Sequence, residues 1–151
     1  MLEKGNYKIG FDIWALILFL LIMIPNFIWF VTPAPNDILR SESITPTLDT
    51  VASIFQVIMV ISLSIIINTE GKKPIIKGGL VGITVSTLIY FCGWILYYQG
   101  IVNTLIVLIL CITPCLSFIL FSIGRKNIIA IISSIIFMLC HTMYGFINYI
   151  V

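Results

Sequence analysis

The fold is decided by two long apolar runs with a short basic break between them, VNTLIVLILCITPCLSFILFSIGRKNIIAIISSIIFMLCHTMYGFINY, residues 102–149. Arg125 and Lys126 are the only charged residues in this stretch. Each run reaches the length of about 20 mostly apolar residues that an α-helix needs to cross the hydrocarbon core of a bilayer. The stretch therefore predicts two transmembrane helices, over about 102–123 and 127–149, joined by a tight turn.

Three earlier runs have the same character and predict transmembrane helices over about 11–31, 46–68 and 80–98. Gly100 lies between the third and fourth runs and can take the left-handed conformation that ends a helix, so a hairpin is expected there. The first run is longer than the apolar region of about 7–15 residues in a signal peptide, so we expect a retained helix. Residues 1–151 then form a single transmembrane domain with one outer loop, 32–45.

Composition supports this interpretation. Of the 151 residues, 60% are hydrophobic and only 9% are charged, and the mean hydropathy is +1.18. Soluble domains carry about 25% charged residues. The sequence therefore predicts an all-α polytopic transmembrane bundle of five helices whose solvent is the lipid bilayer. A net charge of +2 gives no basic stripe, so no nucleic-acid partner is expected.

The basic residues predict the orientation. Seven of the eight fall on one side of a five-pass topology: Lys4, Lys8, Lys72, Lys73, Lys77, Arg125 and Lys126. Only Arg40 falls on the other side. Because cations concentrate on the cytoplasmic side, we expect the N-terminus inside and the C-terminus outside, in a plasma (inner) membrane. Aromatic residues expected near the outer interface are Trp29, Trp94, Tyr97, Tyr98 and Tyr149.

Motifs for catalysis are lacking. The four cysteines lie inside apolar runs and are interpreted as free thiols that pack as small hydrophobes. The chain contains no HExxH, GxSxG, P-loop or GxGxxG pattern. Cys140 and His141 are adjacent and so point in different directions around a helix. We therefore expect no enzymatic activity, no cofactor and no metal.

A few polar residues inside the helices are candidates for a functional cluster. They share a depth in the outer half of the membrane and comprise Asn26, Gln56, His141, Tyr97 and Tyr144. One hypothesis is a pocket that opens outward beneath the loop, since unpaired polar groups in hydrocarbon are costly. The alternative is that they only hydrogen-bond the helices together, at about 0.6 kcal/mol each.

The outer loop supplies a second set of candidates, for contacts with a partner: Asn36, Asp37, Arg40, Glu42 and Asp49. The alternative is a solvated loop surface. Asn36 or Asp37 is expected to cap a short interfacial helix, and Thr45 is expected to cap the second transmembrane helix ahead of Pro46.

Small residues recur at every fourth position in two helices. Gly78, Gly82 and Ser86 do so in the third, and Ala130 and Ser134 in the fifth. This spacing lets helix backbones approach closely, either within the bundle or in a homo-oligomer.

Two parts of the chain carry a resemblance. The first contains Pro25-Asn26, Trp29, Pro33-Ala34-Pro35-Asn36-Asp37-Ile38-Leu39-Arg40, Thr45-Pro46, Asp49 and Gln56, and the second contains Cys140-His141 with Tyr144-Gly145. In these residues the chain resembles a family of small bacterial integral membrane proteins. The resemblance implies a five-helix inner-membrane protein. Because the family has no assigned activity, the resemblance supplies no function.

Two functional hypotheses follow. The first is a non-enzymatic accessory, sensory or assembly protein, with a protein partner or a second copy of itself. The alternative is a small-solute transporter or channel with a polar site in the outer leaflet, against which stands the lack of ionisable groups deep in the helices.

Overall fold

The computed structural model describes residues 6–72 and 75–150. Its helices are α1 (Ile13–Val31), α2 (Pro46–Ile65), α3 (Lys77–Tyr98), α4 (Thr104–Gly124) and α5 (Ile128–Tyr149). All five are long and apolar enough to cross a membrane, which confirms the expected number of such helices. α4 lies at the centre of the bundle, since 61% of its apolar stretch is buried against 22% to 28% in the other four.

A small antiparallel sheet was not predicted. β1 (Tyr7–Ile9) pairs with β2 (Ile66–Asn68), with Lys8 opposite Ile67. The prediction that the second helix runs to residue 68 was therefore wrong. It ends at Ile65, where the backbone N–H of Gly10 donates to the Ile65 carbonyl at 2.9 Å. The β-branched isoleucines that follow suit a strand once the N-terminal segment offers a pairing edge.

The two ends of the bundle differ in charge. At one end, here called the basic end, lie Lys8, Lys77, Arg125 and Lys126; Lys4 and Lys73, which the orientation also used, are outside the described residues. Asp12 caps α1 there by accepting from the N–H of Trp14 at 3.0 Å, and it pairs with Arg125 at 2.7 Å. The opposite end, here called the loop end, carries residues 32–45 with a short 3₁₀ helix, Ile38–Arg40.

Close helix packing explains several of the small residues. A Cβ at Gly82 would lie 2.9 Å from the side chain of Leu120 on α4, and one at Gly145 would lie 2.5 Å from Sγ of Cys111. Ala130 is fully buried in α5. These small residues thus serve packing inside the chain, whereas a Cβ at Gly78 would meet nothing within 4 Å.

The turn between α3 and α4 is a hairpin, as predicted. Gly100 has a φ of +82°, the left-handed region in which glycine carries no steric penalty. Asn103 then begins α4 by accepting from the N–H of Ile106 at 3.0 Å. The short turn places the end of α3 and the start of α4 beside the 32–45 loop.

Candidate functional site

A cavity of about 460 Å³ lies between the helices at the loop end. Four of the five predicted intramembrane polar residues lie in its lining. Asn26 comes from α1, Gln56 from α2, and His141 and Tyr144 from α5. Residues far apart in the sequence thus meet around one space.

The depth of these residues follows from the helical rise of about 1.5 Å per residue. Counted from the loop end of each helix, Asn26 lies about 8 Å deep, His141 about 12 Å and Gln56 about 15 Å. The cavity therefore occupies the half of the bundle next to the loop.

The polar side chains in the lining differ in their bonding. Asn26 donates from Nδ2 to the hydroxyl of Tyr90 at 2.6 Å. His141 stacks on Phe137, with ring centroids 5.1 Å apart, and its nitrogens make no hydrogen bond to the residues that the structure describes. The amide of Gln56 likewise has no partner there. Both side chains are half-buried, and their unused donors and acceptors are available to a molecule in the cavity.

Trp94 supplies a further polar group that the sequence interpretation missed. Its side chain lines the cavity and is only 5% exposed, yet its Nε1 has no hydrogen-bond partner among the described residues. Trp94 and Tyr97 were expected near the outer interface; in the structure their side chains turn into the bundle, and Tyr97 is fully buried. The signal was present: Tyr90, Trp94 and Tyr97 have the i, i+4, i+7 spacing of one helix face.

Tyr97 is not part of the cavity lining; its hydroxyl belongs to a second cluster above it. That hydroxyl donates to Oδ1 of Asp37 at 2.8 Å and accepts from the N–H of Leu39 at 3.2 Å. Oδ1 of Asp37 also accepts from Nε1 of Trp29 at 2.9 Å. Oδ2 accepts from Nε of Arg40 at 3.0 Å and from the N–H of Ala34 at 3.3 Å. We call Trp29, Asp37, Arg40 and Tyr97 the Asp37 clasp.

Arg40 completes the clasp from the opposite side. It donates to the backbone carbonyls of Trp29 and Phe30, where α1 leaves carbonyls without helical partners. Its guanidinium carbon lies 4.8 Å from the centre of the Trp29 ring. Arg40 therefore ends α1 and fixes the start of the loop at the same time.

Burial raises the pKa of Asp37, but the hydrogen bonds from Trp29, Tyr97, Ala34 and Arg40 together lower it by more. The net result is a pKa below the ordinary value of 3.8. The carboxylate is thus charged at neutral pH, and its charge strengthens each of the bonds that hold the loop.

Three more contacts fasten the loop to α3 and α5. The amide of Asn36 donates to the Gly100 carbonyl at 3.1 Å, and the hydroxyl of Tyr149 donates to the Leu39 carbonyl at 3.2 Å. Nδ2 of Asn148 donates to Oγ1 of Thr45 at 2.6 Å. Neither Asp37 nor Thr45 caps a helix with its side chain, contrary to expectation, because both side chains are used in these tertiary contacts.

The five loop-side candidates therefore divide into two groups. Asn36, Asp37 and Arg40 hold the loop on the bundle. Glu42 and Asp49 are exposed, and neither takes part in an ion pair within the described part of the chain. Asp49 also lies in the cavity lining, so it marks the mouth of the cavity.

Immediately below the cavity the interior is packed, and a separate cavity of about 240 Å³ lies beyond this layer at the basic end. Met59 and Cys115 are fully buried, and the hydroxyls of Ser62 and Ser133 lie 3.3 Å apart between α2 and α5. Asn127 donates to the carbonyls of Ser62 and Ile66 at 2.8 and 2.7 Å. The cavity thus has a packed floor toward the basic end.

The lining shows no arrangement for covalent or metal chemistry in residues 6–72 and 75–150. Cys111 and His141 both face the cavity, but no hydrogen bond joins them. In the same ranges, no three His, Cys, Asp or Glu side chains lie together in a group that could hold a metal ion.

No protein-family model matches this chain, and no curated protein or solved structure matches it either.

Proposed function

We propose that this chain is a non-enzymatic, multi-pass membrane protein that binds a small, mostly apolar molecule in the cavity and signals its presence through the 32–45 loop. The observation that carries the proposal is the convergence of Asn26, Gln56 and His141, from three helices, on one cavity of about 460 Å³. Ligand cavities of about 300–1,000 Å³ with apolar walls and a few polar groups are typical of small-molecule sites.

The clasp supports a sensory role because it shares residues with the cavity. Trp29 lines the cavity with its ring and donates its N–H to Asp37 in the loop. Leu39 also lines the cavity, and its backbone bonds to Tyr97 and Tyr149. A molecule that displaces the Trp29 ring therefore changes the contacts that hold the loop, which a partner at the loop end can read.

We place the protein in a plasma membrane, with the N-terminus inside. The support is that every described cation except Arg40 lies at the basic end of the bundle, and basic residues concentrate in cytoplasmic loops. The loop and the cavity mouth then face the exterior.

The filled floor favours binding over conduction. Solute transport, the alternative, needs a continuous path from the cavity to the basic end, and Met59, Cys115 and the Ser62–Ser133 contact fill the interior between them. Transport of the bound molecule is therefore an outcome to be measured in the same experiment.

The test blocks the cavity without removing a bond. Gln56→Trp fills the space from α2, and no described partner of the Gln56 side chain is lost. The full chain in lipid nanodiscs is titrated with benzyltrimethylammonium, neopentylbenzene and 4-phenylbutyrate, which carry positive, no and negative charge. Binding is measured by isothermal titration calorimetry, because Gln56→Trp would add a fluorophore to a cavity that already contains Trp29 and Trp94.

We expect saturable binding of at least one probe to the parent protein and at least about a tenfold loss of affinity in Gln56→Trp, which corresponds to about 1.4 kcal/mol. Ile54→Trp, on the lipid-exposed face of the same helix, is the matched control and should bind normally. Saturable binding to none of the three probes would overturn the proposal, as would equal binding to Gln56→Trp. If the parent protein carries a probe into proteoliposomes and Gln56→Trp abolishes this flux, the function is transport and not sensing.

A further inference from the structure

The cavity lining has an uneven charge. Among the residues that the structure describes, Asp49 is its one carboxylate, and no lysine or arginine belongs to it. The nearest basic residue in sequence, Arg40, is paired with Asp37 at 3.0 Å and donates to the end of α1. The other described cations lie at the basic end, beyond the packed floor. The field at the mouth of the cavity is therefore negative.

The walls are rich in aromatic rings. Seven tryptophan, tyrosine and phenylalanine side chains line the cavity, namely Trp29, Tyr90, Trp94, Phe118, Phe137, Tyr144 and Tyr149. The face of an aromatic ring attracts a cation through the ring quadrupole, and this attraction grows where water is excluded. Rings on several sides of one space suit an alkylated ammonium, whose charge is spread over its methyl groups and is weakly hydrated.

The hydrogen-bonding groups of the lining also favour a cation over an anion. Gln56 offers an amide oxygen and Asn26 offers Oδ1, since the hydrogen bonds of Asn26 within the chain use Nδ2. The donors without partners, such as Nε1 of Trp94, carry no formal charge with which to offset an anion. An anionic group inside the cavity would lie among aromatic faces and behind Asp49, with no cation to compensate it.

We propose that the cavity selects small organic cations, of the alkyl- or arylammonium class, over uncharged molecules of the same shape and over anions. This inference rests on the proposed binding function and names its ligand class. Asp49 at the mouth attracts the cation, and the aromatic walls hold it.

The experiment compares benzyltrimethylammonium with neopentylbenzene, its uncharged carbon isostere, and with 4-phenylbutyrate, each titrated into the parent protein, Asp49→Asn and Glu42→Gln in nanodiscs. Glu42 is the matched control, because it is an exposed carboxylate at the same end that does not line the cavity. Asp49→Asn should weaken binding of the cation by about 1.5-fold to fivefold, the range for an exposed charge pair. It should leave the affinity for neopentylbenzene unchanged, which also reports that the variant is folded.

Glu42→Gln should change none of the affinities by more than the error of the titration. The inference is overturned if Asp49→Asn and Glu42→Gln have the same effect on cation binding, or if 4-phenylbutyrate binds more tightly than benzyltrimethylammonium. Tight binding of neopentylbenzene alone would also overturn it while leaving the proposed binding function standing. Absence of saturable binding for all three probes would overturn both.

Discussion

The hydroxyl of Tyr97, at the end of α3, donates a hydrogen bond of 2.8 Å to the carboxylate of Asp37 in the loop between α1 and α2. The two residues are 60 positions apart in the sequence. The same carboxylate receives the indole N–H of Trp29, which lines the cavity. One aspartate thus links the loop, α1, α3 and the wall of the candidate site.

Replacing this aspartate should loosen the loop. In the parent protein the donors around Asp37 share two carboxylate oxygens, whereas in Asp37→Asn they share a single amide oxygen. Arg40 also loses its charged partner. We expect a loss of about 1.5–3 kcal/mol in the free energy of unfolding, the range for hydrogen bonds to a charged group. Thermal or denaturant unfolding in a mild detergent measures it. Glu42→Gln is the control. An equal loss of unfolding free energy in both variants would contradict a stabilising role for the Asp37 clasp.

The stabilisation by Asp37 should also depend on pH. Because folding lowers the pKa of Asp37 below 3.8, its contribution is complete at higher pH and is lost as the pH falls through the lowered value. The difference in melting temperature between the parent protein and Asp37→Asn should be constant from neutral pH to about pH 5 and should shrink below about pH 4. Melting curves of both proteins across this range measure it. A difference that grows on acidification would mean that the sign of the shift is wrong.

The helices could be predicted from the sequence because their signal is local. Runs such as residues 13–31 and 104–124 have the length and apolar character that a bilayer crossing requires. Gly100 likewise predicted the α3–α4 turn, because glycine can adopt the positive φ that this turn requires. Depth along a helix is also a local quantity, so Asn26, Gln56 and His141 could be placed at one level before any contact was known.

What could not be predicted depends on partners distant in sequence. β2 exists because β1 pairs with it, and nothing within residues 66–68 distinguishes them from one more helical turn. Asp37 and Thr45 resemble helix caps, yet Tyr97 and Asn148 take their side chains into tertiary contacts. Trp94 resembled an interface residue because composition does not reveal which face of α3 turns inward.

Close packing of α4 against α5 gives a prediction at Gly145. A methyl group there would lie 2.5 Å from Sγ of Cys111, so Gly145→Ala should cost about 1–3 kcal/mol of stability. Cys111→Ala in the same molecule should recover part of this loss, with a coupling on the order of 1 kcal/mol. Gly78→Ala, where a Cβ meets nothing within 4 Å, is the control and should change stability by less than about 1 kcal/mol. Additive effects of Gly145→Ala and Cys111→Ala in unfolding titrations would contradict this contact.

The proposed orientation predicts which end is reached from outside an intact cell. Single cysteines replace Glu42 at the loop end and Lys126 at the basic end, in a chain whose native cysteines are changed to serine. A membrane-impermeant maleimide should label Glu42→Cys in intact cells and Lys126→Cys only after permeabilisation. Labelling of both without permeabilisation would contradict five crossings, and the reverse pattern would contradict the orientation.

The most direct test asks whether Gln56 and His141 line a cavity that water reaches, rather than a dry contact between helices. In the cysteine-free chain, Gln56→Cys, His141→Cys and Ile54→Cys are treated with a water-soluble cationic methanethiosulfonate. Such reagents need a hydrated thiolate, and Ile54 is 51% exposed on the outer, lipid-exposed face of α2. We expect rapid modification of Gln56→Cys and His141→Cys and slow modification of Ile54→Cys. Unreactive thiols at both 56 and 141, or a reaction at 54 that is as fast as theirs, would contradict it.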